Sequence, residues 1–383
     1  MDYPIEITIS RNAIKKNIQF IKESVGDDVK ISSVVKANAY GHGINEFAPL
    51  VEAEGINHFS VFDYHEALKL HKVLNKNSTI MIMGWIGKNN LEDVIRKGFE
   101  FFVFDPERLE QAVEIARYIN IPAKIHLEVE TGMNRSGLNK REFIKALNFI
   151  NENKSSVIVS GLCSHLAGAE SIANHVRVIQ QIKSFDAYKI EIKKHNIEPE
   201  YYHLACSAAT MSYPGSRQNL VRIGIMQYGF WSSKEVFLRY TARKKDFIDP
   251  LERVIGLKSE IMSIKEIKKG KFISYGTTYL AQNDMKTAIV PIGYSKGYSR
   301  SFSNRGRILI KGQLCYVIGL VNMNMIIADV SYIADLKIGD EVVLIGSQND
   351  LTISVDSFSE ISQQINYEIL SRLPNDIPRI IIK

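Results

Sequence analysis

The sequence predicts an α/β fold, a (β/α)8 TIM barrel, followed by a second, C-terminal antiparallel β-domain. Two observations predict it. Eight short apolar runs recur through the first part of the chain, with amphipathic helical patterns between them. After about residue 235 the texture changes to short alternating runs separated by Gly, Asn and Asp. A chain of 383 residues is long enough for a large barrel plus a second module.

The runs, in order, are ISSVVKA (31–37), HFSVFD (58–63), TIMIMG (79–84), FEFFVFD (99–105), AKIHLEVET (123–131), VIVSGLCSHL (157–166), YYHLAC (201–206) and LVRIGIMQYG (220–229). Each is of strand length. The gaps hold patterns such as HEALKLHKVL and PERLEQAVEIARYI, with apolar residues about three and four apart. Strand and helix alternating in this way mark a closed parallel barrel, whose site lies at the C-terminal ends of the strands. Lys36, Glu128, Arg135, His165, Ser207 and Arg222 stand at such ends or in the loops just beyond. ARKKDFIDPLE then reads as a linker or surface loop. KTAIVPIGYS, RGRILIKG, LCYVIGLVN, MIIADV and DEVVLIG read as strands of an antiparallel domain. YPIEITISR, ahead of the barrel, alternates in the same style and is a candidate to pair with the C-terminal sheet. The expected division is 11–235 for the barrel, and 1–10 with 236–383 for the β-domain.

Apolar residues make up 45% and charged residues 23%, close to soluble globular averages. The net charge of +6 comes from lysines interleaved with acids, as in KSEIMSIKEIKKGK, with no basic stripe carrying aromatics. That argues against a nucleic-acid partner. The three cysteines, Cys163, Cys206 and Cys315, lie far apart and show no metal-ligand spacing. They read as reduced core residues of a cytosolic protein. MDYPIEITISRNAIKK has early acids and no apolar signal core. No run approaches the roughly 18 apolar residues of a membrane span. A cytoplasmic protein with no membrane partner is expected.

In SVVKANAYGHG (33–43) an apolar run stops at one lysine, Lys36, before small residues and glycine. Taken alone, Lys36 reads as a strand-end lysine whose amine reaches water. The buried run before it and the roomy loop behind it suggest another use. A desolvated lysine loses its proton more readily, which suits it to attack carbonyls and form a Schiff base. Ser207 in HLACSAAT and the amides near Gly224 and Ile225 are candidates to receive a phosphate, although lone Ser and Gly are more often turn residues. Arg222 lies on a strand read as buried and needs a partner. An ion pair to a neighbouring strand is the plain alternative.

VVKANAYGHG, ETGMNRSG, CSHL, HLACSAAT, VRIGI with QYG, SYGTTY, PIGYSKGY and NYEILSRLP occur in this order along nearly the whole chain. In order and spacing they resemble the motifs of the fold-type III alanine racemases. The resemblance implies pyridoxal 5'-phosphate (PLP) joined to Lys36, with its phosphate held by Tyr40, Ser207, Gly224, Ile225 and Tyr367. Arg222 would bond the pyridine nitrogen. Arginine stays protonated, so the ring nitrogen does not, and the weaker electron sink disfavours transamination. His165 is implied beside Arg222 and Tyr275. Arg135 would bond the cofactor's phenolic oxygen and the substrate carboxylate.

Racemisation removes a proton from one face of Cα and delivers another to the opposite face. The resemblance assigns Lys36 to the face leading to the D enantiomer and Tyr275 to the other. Alone, Tyr275 is a plain strand tyrosine, and a phenol with a pKa of about 10 is a poor base. It needs nearby positive charge, which His165 and Arg222 would supply. Tyr275 would reach the site from a second subunit, with Met323 and Tyr294. The resemblance therefore implies a homodimer with shared active sites, acting on a small amino acid and supplying D-alanine for peptidoglycan.

Two positions depart from the family pattern. Glu128 stands where the family usually has a carbamylated lysine, and is expected to pair directly with Arg135. Asn322-Met323-Asn324 stands where Cys-Met-Asp is typical, so amides replace two ionisable groups. Alanine remains the first substrate because Tyr367, Tyr294 and Tyr275 keep the entrance narrow. The alternatives are a racemase for serine, lysine or ornithine on the same scaffold, a PLP-dependent decarboxylase of similar architecture, and a non-catalytic PLP-binding protein. SYGTTY and a missing C-terminal site cysteine speak against the decarboxylase. The β-domain speaks against the non-catalytic protein.

Overall fold

A computed structural model describes residues 3–242, 248–362 and 365–383. Of the segment expected to be a linker, residues 243–247 lie outside those described. The chain divides into two compact units, Asn12–Ala39 with Ala48–Glu252, and Met1–Arg11 with Tyr40–Phe47 and Arg253–Lys383.

The first strand, β1 (Ile5–Ser10), belongs to the second of these units. The next eight are β2 (Lys30–Val34), β3 (His58–Val61), β4 (Thr79–Ile82), β5 (Glu100–Val103), β6 (Ala123–Glu128), β7 (Val157–Cys163), β8 (Tyr201–Cys206) and β9 (Leu220–Ile223). They close into a barrel in chain order, every pair parallel, with β9 returning to β2. Strands covered on both faces read as continuous apolar runs, and these do. Phe59, Val61, Ile82, Phe101, Val103, Ile125, Leu127, Leu204 and Val221 are all fully buried.

Local chemistry starts and stops the outer helices. Asp105 caps Pro106–Ile119 by accepting from the Arg108 amide, proline occupies the first turn, and Asn120 closes the helix in a left-handed conformation. Asn139 and Glu142 form a reciprocal capping box at Lys140–Glu152; such a cap is worth about 1 kcal/mol. Among the described residues no helix is long and apolar enough to cross a membrane.

The end of β2 differs from the expected strand over 31–37. It stops at Val34, where the carbonyl accepts from both the Gln227 amide (3.0 Å) and the Tyr228 hydroxyl (2.9 Å). Lys36 then opens a turn in which Ala37, Asn38, Ala39 and Tyr40 have φ of 52°, 53°, 54° and 52°. This is a left-handed helical turn, closed by an Ala39 N–H donating to the Val35 carbonyl at 2.8 Å. Of these four residues, Asn38 tolerates the conformation best, because a short polar side chain can hydrogen-bond locally.

The other unit is mainly antiparallel. Its strands after β1 are β10 (Ile255–Glu260), β11 (Ser263–Ile267), β12 (Met285–Val290), β13 (Arg307–Ile310), β14 (Gln313–Tyr316), β15 (Ile326–Asp329), β16 (Glu341–Gln348), β17 (Leu351–Ile353) and β18 (Arg379–Ile382). One sheet runs β14-β13-β16-β10-β1-β18, with β17 on β16; the other runs β11-β12-β15. As expected from its alternation, β1 joins this sheet, antiparallel to β10 and parallel to β18. Ile5, Ile7 and Ile9 form its buried face.

Candidate active site

The barrel unit gathers most of the candidate residues at the C-terminal ends of its strands. Lys36 is half-buried beyond β2. Burial lowers its pKa from 10.5, the Arg135 and Arg222 cations lower it further, and the Glu66 carboxylate opposes them. Nothing in the sequence singles out Glu66 beyond a helix start at Asp63. In the structure its carboxylate turns back to accept from the amides of Phe62 (2.9 Å) and Asn38 (3.4 Å).

Arg222 is buried on β9. One terminal nitrogen donates to His203 Nδ1 and to the His203 carbonyl (3.2 Å). The other donates to the Ser164 carbonyl (2.7 Å) and to His165 Nδ1 (3.3 Å). Its partners are therefore carbonyls and imidazoles; among the described residues no carboxylate lies within ion-pair distance of it. Its Nε has no hydrogen-bond partner among the described residues. Burial, then the Arg222, Arg135 and Lys36 cations, push the His165 pKa down to about 3. The ring is neutral, so its Nδ1 can accept from Arg222.

Ser207 opens the short helix Ser207–Ser212 directly after β8, and Gly224 follows β9. Both are buried, and the Gly224 N–H donates to Ser207 Oγ at 2.9 Å. The Ser207 hydroxyl accepts there and keeps its own hydrogen to donate. Ile225 begins the adjoining turn Ile225–Tyr228. Two strand ends thus bring a hydroxyl and successive amides to one place.

One expectation is corrected. Glu128, buried at the end of β6, forms no ion pair with Arg135, which is exposed. The Arg135 side chain lies out on the loop surface while the carboxylate is held inside. Its carboxyl instead lies in hydrogen-bonding reach of the Ser136 hydroxyl. Burial raises its pKa, against the pull of Ser136, Arg222 and Arg135.

The β-unit holds the other candidates. The Tyr40 and Tyr367 rings lie 5.8 Å apart. Tyr275 is 70% exposed, Met323 55% and Tyr294 42%. They are linked through their neighbours: Ser274 Oγ bonds Asn322 Oδ1 (3.2 Å), the Tyr294 N–H donates to the Asn322 carbonyl (3.1 Å), and the Ser295 N–H to the Met323 carbonyl (3.0 Å). Asn324 Oδ1 accepts from the Ser295 hydroxyl at 2.7 Å.

Comparison with known proteins gives a consistent result. The alanine racemase N-terminal domain pattern matches residues 9–231 and the C-terminal domain pattern residues 254–381. An alanine racemase of Clostridium perfringens is 34% identical over 379 residues, covering 98% of this chain and 95% of the relative. The solved structure of alanine racemase from Clostridium difficile 630 superposes with a TM-score of 0.90 at 28% identity, covering 100% of this chain and 96% of that one. Another, from Bartonella henselae with covalently bound pyridoxal phosphate, gives 0.84 at 26% identity, covering 99% and 100%. With both domain patterns matched in order across almost its whole length, this chain belongs to the alanine racemase family.

Proposed function

We propose that this protein interconverts L- and D-alanine with PLP as cofactor, and that the D-alanine serves peptidoglycan. Lys36 carries the reading: a half-buried primary amine beyond the end of a barrel strand, its pKa lowered by burial and by Arg135 and Arg222. The donor set suits a phosphorylated pyridine aldehyde. Lys36 offers an amine for the aldehyde, Ser207 with the Gly224 and Ile225 amides offers donors for the phosphate, and Arg222 keeps an unpartnered Nε for the ring nitrogen. When bound, PLP supplies the electron-withdrawing system that acidifies the Cα–H of an amino acid.

The remaining work falls to the chain. Lys36 takes or returns the proton on the face leading to D-alanine, and Tyr275 does so on the other. Arg135 and the Met323 amide hold the substrate carboxylate, and Tyr294 narrows the entrance. Tyr40 and Tyr367 join the phosphate-holding groups. Arg222, always a cation, leaves the ring nitrogen only an acceptor's role. The exposed Tyr275, Met323 and Tyr294 support a homodimer in which a second copy covers them. Asn322 and Asn324 engage neighbouring serines with their amide oxygens.

A chiral assay of the PLP-loaded protein against a panel of L-amino acids tests the reading. L-alanine is expected to racemise without release of carbon dioxide. Inert alanine with turnover of serine, lysine or ornithine would reassign the substrate. Carbon dioxide release would replace the racemase with a decarboxylase.

Glu128 provides a second expected result. Glu128→Gln keeps size but removes the charge that faces Ser136 and Arg135, and is expected to lower kcat/KM by roughly 10-fold, the lower range for a group supporting a ligand. Bicarbonate is expected to leave the wild type unaffected, because no lysine stands there to be carbamylated. Unchanged kinetics in Glu128→Gln would remove Glu128 from the site.

A further inference from the structure

TIM barrel interiors are ordinarily filled by branched aliphatic side chains. This one holds a guanidinium, three imidazoles and a carboxylate: Arg222, His203, His126, His58 and Glu100, none more than 7% exposed. Four of them are joined end to end. Arg222 donates to His203 Nδ1. His203 Nε2 lies 2.8 Å from His126 Nδ1, and His126 Nε2 lies 2.8 Å from Glu100 Oε2. His58 Nε2 stands 3.6 Å from the same oxygen, too far for a hydrogen bond, while its Nδ1 is 2.9 Å from the Ser32 hydroxyl.

The backbone is shaped around this chain of side chains. The ladder register shifts between Ile125 and His126 on β6, and between His203 and Cys206 on β8. Such irregularities re-aim side chains. Gly161 on β7 lies against the His126 ring, and any Cβ there would collide with it.

The direction of every hydrogen bond follows from one end. A guanidinium has donors only. His203 Nδ1 must therefore accept, and the neutral ring carries its hydrogen on Nε2. That hydrogen goes to His126 Nδ1, so His126 also carries its hydrogen on Nε2 and donates to Glu100. The reverse order would set two donors face to face at Arg222. An acceptor is thus required at the far end.

We propose that Glu100 is a positioning residue for Arg222. As the terminal acceptor it fixes the tautomers of His126 and His203, and through them the orientation of the guanidinium that faces the cofactor ring. The inference rests on Arg222 as the ring-nitrogen partner in the function proposed above.

NMR of the PLP-loaded enzyme with isotope-labelled histidine reads the tautomers directly, and Nε2 protonation is expected for both His126 and His203. Glu100→Leu strands the His126 N–H. It is expected to lower kcat by roughly 10–100-fold, the range for partners standing behind a ligand, and to change the absorption band of the bound cofactor. Glu100→Gln, whose amide oxygen can still accept, is expected to recover most of that loss and the wild-type band. Nδ1 protonation of either histidine in the wild type overturns the proposal. So does a folded Glu100→Leu with wild-type kcat and absorption, or a Glu100→Gln as impaired as Glu100→Leu. If Glu100→Leu does not fold, the wild-type tautomers and the Glu100→Gln kinetics decide. A wild type without racemase activity would fail the functional reading instead, and the tautomers would remain measurable.

Discussion

Replacing Lys36 by alanine is expected to abolish racemisation, with kcat/KM falling by roughly 10⁴-fold, the upper end for loss of a positioned acid–base group. The lysine would have two duties, holding the cofactor and moving a proton, so no other group in the chain substitutes for it. Borohydride reduction of the PLP-loaded wild type, followed by digestion, is expected to leave the cofactor on the peptide containing residue 36. Lys36→Ala is expected to carry no such mark. The sign of the pH effect follows from the environment of the amine. Burial and two cations lower its pKa below 10.5, so the free amine is available at lower pH than for an ordinary lysine. Cofactor loading of the apoprotein should therefore gain speed with rising pH before the usual lysine range is reached. A mark on any other lysine, or a racemising Lys36→Ala, would end the reading.

Tyr275→Phe is expected to lose racemisation by roughly 10²–10⁴-fold, the range for a general acid–base group. The ring stays and only the phenol proton goes, so the borohydride mark on residue 36 should persist. The loss is also expected to be one-sided. In heavy water, D-alanine should still exchange its Cα hydrogen through Lys36, while conversion between enantiomers stops. The exposure of Tyr275 in a single chain adds a second measurement. If the phenol serves the other subunit's site, two inactive proteins, Lys36→Ala and Tyr275→Phe, should complement when their subunits are mixed. Each hybrid dimer then has one site with both residues intact. Absence of recovery in verified hybrids would mean that each chain builds its site alone.

Much of the barrel was legible because parallel strands, covered on both faces, leave uninterrupted apolar runs such as HFSV and TIMI, and Gly, Pro and Asn punctuate the helices between them. Of the site, the motifs around Lys36, Arg222 and Ser207 were legible because each sits where a strand ends. Glu100 was not. In FEFFVFD it reads as one polar residue at the margin of an apolar run, and its partner His126 lies a full strand–helix unit away. The register shifts that aim His126 and His203 inward are likewise absent from any local pattern, because they arise from pairing between strands. The Glu128–Arg135 pairing was inferred from a family position and complementary charge, neither of which reports that Arg135 lies exposed while Glu128 is buried against Ser136.

The turn after Lys36 has a consequence for the handedness of its own residues. An L-residue with positive φ brings its Cβ close to the following carbonyl, at roughly 1–2 kcal/mol each. For a mirror-image residue the same backbone is the relaxed one. At positions 37 and 39, with φ of 52° and 54°, the chain holds two L-alanines in the shape that D-alanine would adopt unforced. A semisynthetic protein carrying the D enantiomer at either place would fit the native path more easily than the ribosome's own product does.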